Sequence, residues 1–219
     1  MGLADQLRLM VITDPVLLQR GERDPLQVCR AAVRGGATMV QVRWKDAPPR
    51  DILALARALV AALPVPVLVN DRVDVALAAG AAGAHLGQDD VPLDALRPHV
   101  PPGFVLGASV GSPADAARAR GWRADYWSVG PAYATANKPD AGLPLGAAGF
   151  TALARLAPDG VPVIAIGGIT AGNAADLARA GAIGLAVIGA ILAAPDPESA
   201  ARAIRDSFDA ARAAHVVPR

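Results

Sequence analysis

Short, mostly aliphatic runs recur along the chain, at 7–12, 38–42, 65–69, 84–86, 104–108, 125–129, 162–166 and 185–188. They do not alternate with polar residues, so they read as strands buried on both faces of a parallel sheet. Between them lie stretches with helical spacing and end signals. Asp24-Pro25 opens one helix with an N-cap and an N1 proline, and Gly35-Gly36 closes it. Further helices are predicted over 48–63, 72–79 (capped by Gly80), 92–98, 112–121, 147–157, 173–180 and 197–214. This makes eight strand–helix repeats at a spacing of roughly 20–30 residues. Such repeats imply parallel crossovers and close as a single-domain α/β fold, a (β/α)8 TIM barrel over residues 1–219. A doubly wound open sheet is the alternative, but no Gly-x-Gly-x-x-Gly follows the first strand.

The chemistry gathers at the carboxyl ends of these strands, the face where such folds bind ligands. The stretch 64–90 reads as strand, helix, strand, and its two strands run into Asn70-Asp71 and Gly87-Gln88-Asp89-Asp90. Asp71 and Asp90 would meet at one mouth, and two anionic oxygen donors there suit Mg²⁺. Taken alone, each reads more readily as a helix N-cap. Gln41, Arg43 and Lys45 are spaced by two at the end of the second strand and share a face if the chain stays extended. Two cations and an amide make an anion site, or else a solvated strand end. Gly167-Gly168-Ile169-Thr170 and Ile188-Gly189 follow the seventh and eighth strands, where barrels hold phosphate on backbone N–H groups. The long loop 130–146 carries Thr135, Asn137 and Lys138, and Lys138 reads as a phosphate clamp more readily than as a Schiff-base lysine. His85 reads as a core histidine hydrogen-bonded to backbone, which leaves the mouth without a well-placed general base.

Composition narrows the class. Apolar residues make up 53% and aromatics 4%, a core of small aliphatic side chains, and a net charge of +1 gives no reason to expect nucleic acid or an anionic membrane as partner. Cys29 is the single cysteine, so there is no disulfide framework. No leader-like or membrane-spanning run is evident, and the expected setting is cytoplasmic. The sequence leaves self-association into a homo-oligomer open.

Taken together these residues resemble the thiamine-phosphate synthase family. The likeness is carried by Gln41-Val42-Arg43-Trp44-Lys45, Val69-Asn70-Asp71-Arg72-Val73-Asp74, His85-Leu86-Gly87-Gln88-Asp89-Asp90, Gly107-Ala108-Ser109, Asp125-Tyr126, Val129-Gly130-Pro131, Thr135, Lys138 and Ala165-Ile166-Gly167-Gly168-Ile169. The resemblance implies a Mg²⁺-dependent transferase with two small-molecule substrates. An aminopyrimidine carrying a methyl diphosphate would couple to a thiazole phosphate, releasing pyrophosphate. It further implies that Gln41, Arg43, Lys45, Asn70, Ser109 and Lys138 hold the pyrimidine diphosphate, with Arg43, Lys45, Ser109 and Lys138 acting in catalysis. Asp71 and Asp90 would hold the metal, and Thr135, Asn137, Gly168, Ile188 and Gly189 the thiazole phosphate. The chain departs from the family pattern at Asn137 and Gly189, each replacing a hydroxyl side chain, and at Trp44, where an acidic residue often stands. A thiazole tautomerase is the main rival reading, but the His that follows the fifth-strand Ser in those relatives is absent after Ser109. A non-catalytic phosphate-binding regulatory barrel and an aldolase or isomerase barrel are weaker alternatives.

Overall fold

The computed structural model describes residues 2–135 and 142–215. Eight strands close in sequence order into a parallel barrel: β1 Leu9–Ile12, β2 Met39–Val42, β3 Val67–Asn70, β4 Gly83–Leu86, β5 Val105–Val110, β6 Tyr126–Val129, β7 Val163–Ile166 and β8 Gly184–Val187. The seam pairs β8 with β1, Leu185 opposite Leu9. Each predicted strand is present, with no end moved by more than two residues. Ser109, expected at the tip of the fifth strand, lies inside β5 because Ser109 and Val110 still pair with Ser128 and Val129.

Side chains alternate between two layers. Val11, Val40, Val42, Val69, Ala84, Leu106, Trp127, Ala165 and Leu185 face outward and pack beneath the helices. Met10, Met39, Leu68, Tyr126, Ile164 and Ala186 face inward and fill the lower barrel with Leu7 and Ile12. Gly107 is required at this level. The Tyr126 ring lies across β5, and a Cβ on residue 107 would come within 2.2 Å of its Cζ. The plug ends below the carboxyl-end mouth, so the upper barrel is free to be a site.

Three short helices were not anticipated. Leu3–Gln6 lies beneath the barrel, with Leu3 against the plug. Pro15–Arg20 starts from Asp14, whose side chain accepts from Leu17 N at 3.1 Å. Gly189–Leu192 follows β8 directly. Each is six residues or fewer, too short for periodicity to register. No helix among the described residues is long and apolar enough to cross a membrane.

Candidate active site

A cavity of about 730 Å³ opens at the carboxyl ends of the strands. Its β2 wall is set by Thr13, fully buried just past β1. Thr13 N donates to Gln41 O at 2.9 Å, and its hydroxyl accepts from Arg43 N at 3.0 Å. That pins the chain where β2 ends. Trp44 packs back against the core while Arg43 and Lys45 line the cavity, so the spacing by two puts both cations on the ligand face.

The opposite charge comes from β3 and β4. Asp71 N donates to His85 O at 2.8 Å, and Asp71 adopts φ 62°, in the left-handed region. Asp tolerates this conformation better than most residues, and such strain clusters at functional positions. The turn brings the Asp71 carboxyl to Asp90. Burial, then the Asp90 charge and a hydrogen bond with Asp90, raise the Asp71 carboxyl from 3.8 to about 6, while Lys45 and Arg43 pull it down. Asp90 Oδ2 accepts from Gly87 N at 2.7 Å. Neither aspartate is a helix N-cap, since the helices Val73–Ala79 and Leu93–Leu96 are preceded by Arg72 and Pro92. Two hard oxygen donors repelling each other at an open mouth fit a divalent cation. Among the described residues no three His, Cys, Asp or Glu side chains form a metal cluster. A cation here would therefore draw on the pair plus water and phosphate oxygens, the arrangement Mg²⁺ favours.

The floor corrects the expectation for His85. Its ring is buried, but its partners include two side chains, Tyr126 of the plug and Ser109, which lines the cavity. Nδ1 lies 2.8 Å from Tyr126 Oη and Nε2 lies 2.9 Å from Ser109 Oγ. Burial keeps the Tyr126 phenol far above its ordinary value, opposed by a hydrogen bond with Gln41, so the phenol stays neutral and can donate. Gln41 Nε2 is also 3.5 Å from Met10 Sδ. A connected polar network thus runs from β2 through β6 and β4 to β5, ending on the Ser109 hydroxyl.

The β7–β8 side differs. Gly167 and Gly168 take φ 97° and 62°, and a Cβ on Gly168 would come within 2.4 Å of Ala134 O. Asn173 fixes this turn, its Nδ2 donating to Gly168 O at 3.0 Å and its Oδ1 accepting from Thr170 N at 2.8 Å. Thr135, Gly168, Ile188 and Gly189 all line the cavity, as do Gln41, Arg43, Lys45, Asn70, Asp71, Asp90 and Ser109. Asn137 and Lys138 lie outside the described residues. Sequence reasoning missed the parts played by Thr13, Tyr126, Ser128 and Asn173. For Tyr126 and Ser128 the available signal was their spacing by two along β6.

Residues 9–191 match the family model described as thiamine monophosphate synthase. The chain belongs to the thiamine monophosphate synthase family. It is 49% identical over 189 residues to a thiamine-phosphate synthase of Roseiflexus castenholzii, covering 85% of this chain and 82% of that one. It is 46% identical over 208 residues to one of Methanoculleus marisnigri, covering 94% and 97%. Among solved structures it superposes on the thiamine phosphate pyrophosphorylase of Pyrococcus furiosus with a TM-score of 0.85 and 34% identity, covering 96% of this chain and 99% of that one. This family member is an enzyme of the transferase class.

Proposed function

We propose that this chain joins 4-amino-2-methyl-5-pyrimidinylmethyl diphosphate to a thiazole phosphate, forming thiamine phosphate and pyrophosphate, with Mg²⁺ as cofactor. The observation that carries the reading is the pairing of charges at one mouth. Arg43 and Lys45 line the same cavity as the mutually repelling Asp71 and Asp90. A diphosphate with its cation answers both signs at once, whereas a simple phosphate-binding barrel has no use for the acid pair. The direct test is to incubate both substrates with Mg²⁺ and look for thiamine phosphate. No product at saturating substrate would overturn the reading.

In this mechanism Arg43 forks onto diphosphate oxygens and Lys45 adds a compact charge. Lys138 adds a second one, and Asn70 and Gln41 fix the pyrimidine diphosphate by their amides. The Ser109 hydroxyl, oriented by His85 at 2.9 Å, donates to the leaving group. Mg²⁺ bound by Asp71 and Asp90 would neutralise charge on the departing pyrophosphate. The C–O bond breaks first, pyrophosphate takes the electron pair, and the aminopyrimidine ring spreads the positive charge left on its methylene. The thiazole nitrogen then supplies its lone pair to form the C–N bond. That lone pair is free, so attack needs no general base, and His85 serves as the residue that positions Ser109. Thr135, Asn137, Gly168, Ile188 and Gly189 would hold the thiazole phosphate, chiefly through backbone N–H groups.

A further inference from the structure

The cavity floor has two sides. On β2 to β6 its inward residues are polar, namely Gln41, Asn70, His85, Ser109 and Ser128, whereas β7 and β8 present Ile166, Ala186 and Ile188. Ser128 stands at the seam, in register between Ser109 of β5 and Ile164 of β7. It is 4% exposed, and its Oγ is buried with no hydrogen-bond partner among the described residues. The neighbouring Ser109 hydroxyl is already engaged by His85. Leaving a buried hydroxyl unpaired is unfavourable, and an alanine here would avoid that cost with almost the same volume. A hydroxyl kept in that state at a cavity wall has its capacity reserved for a ligand. Ser128 lines the cavity, and turning its hydroxyl toward a ligand would give up no existing bond.

Building on the proposed coupling reaction, we infer that Ser128 is a positioning and specificity residue whose hydroxyl bonds a nitrogen on the edge of the pyrimidine ring. The chemistry favours the pyrimidine over the thiazole. Serine both donates and accepts, so it serves a ring nitrogen or an exocyclic amine equally. The polar side of the floor suits the nitrogen-rich ring, and the apolar β7–β8 side suits the sulfur-containing one. At the seam the bond would turn the pyrimidine methylene toward the thiazole nitrogen.

The test is calorimetric binding to wild type and Ser128→Ala, with Mg²⁺ present. The ligands are the pyrimidine diphosphate, analogues lacking the amine or one ring nitrogen, and the thiazole phosphate. The expected result is about a tenfold weaker Kd for the pyrimidine diphosphate, an unchanged Kd for the thiazole phosphate, and a melting temperature equal or higher. One analogue should also bind both proteins equally, because the atom Ser128 serves is missing. Unchanged pyrimidine affinity overturns the inference, as does equal loss for both substrates with a lower melting temperature. Preserved discrimination against every analogue does so too. If the wild type binds the diphosphate but forms no thiamine phosphate, the coupling reading falls while the Ser128 comparison still stands on binding. If it does not bind the diphosphate, both fall.

Discussion

Replacing Asp71 by Asn should stabilise the protein without metal while abolishing its turnover. The Asp71 carboxyl is raised from 3.8 to about 6 by burial and by Asp90. The folded state therefore holds this proton more tightly than the unfolded chain does. The sign follows from linkage. Below about pH 3.8 the carboxyl is protonated in both states and costs nothing. As pH rises from there through about 6 the folded state loses stability, and above about 6 the full cost is present. A displacement of that size corresponds to about 3 kcal/mol. Asp71 is only half-buried, and solvent screening reduces this to about 1–2 kcal/mol. Asn carries no charge, can donate to Asp90, and accepts the left-handed φ of 62° at least as well as Asp. For a chain of this length the gain is about 2–6 °C in Tm. The assay is thermal unfolding of wild type and Asp71→Asn in chelator, near pH 7.5 and near pH 4.5. The variant should melt higher near pH 7.5, and the gap should narrow near pH 4.5. Adding Mg²⁺ with pyrophosphate should raise the wild type and leave the variant nearly unmoved. A variant that melts lower near pH 7.5, or a gap independent of pH, would refute the argument.

Chelation should stop coupling, and Asp90→Ala should lower kcat/KM by about a hundredfold or more with the fold intact by circular dichroism; full activity in chelator would remove the metal from the reading. His85→Ala leaves Tyr126 and Ser109 without a shared partner, so kcat should fall about 10- to 100-fold, with the loss small if Ser109 needs no orientation. The chain holds only two lysines, Lys45 and Lys138; Mg²⁺ and pyrophosphate should slow acylation of both by an amine-reactive ester, measured by peptide mass, and unchanged labelling of Lys138 would release it from the site. An electron-withdrawing substituent on the pyrimidine should slow single-turnover coupling by orders of magnitude with binding little altered, and a flat substituent series would defeat the dissociative route.

The barrel was legible because its strands are buried on both faces, and eight aliphatic runs cannot be read as anything but parallel strands at that spacing. Much of the cavity wall was legible for the same geometric reason. Arg43-Trp44-Lys45 continues the strand alternation, so the indole returns to the core and the two charges do not. Asp71 was assigned to the mouth, but its left-handed backbone was not foreseeable, since Asn70-Asp71 also begins ordinary turns. His85 was misjudged because a buried position was equated with a structural one. In a small barrel the inward face is both buried and ligand-facing, and which it is depends on height along the axis. Tyr126 closes the plug, and His85, Ser109 and Ser128, one layer above it, line the cavity. That height depends on register between strands, which no single strand's pattern contains.

The choice between arginine and lysine carries a further argument. Arginines do much of the structural cation work in this chain. Arg57, Arg120, Arg205 and Arg212 donate to Ala78, Leu156, Gly36 and Ala182 carbonyls, each at or just after the end of a helix. There the rigid guanidinium fork suits carbonyls whose positions never change, and its charge complements the negative helix end. Lys45 is not spent this way on the helix ends named. Lys45 stands at the cavity mouth beside an arginine, as a compact charge on a flexible stem. A diphosphate that is bound, severed from carbon and released does not keep one geometry. A planar fork holds it well in one pose, and a flexible ammonium can follow it through the others at lower cost in broken hydrogen bonds. Under the proposed coupling reaction, the pairing of Arg43 with Lys45 therefore suits a site whose diphosphate must be held and then released.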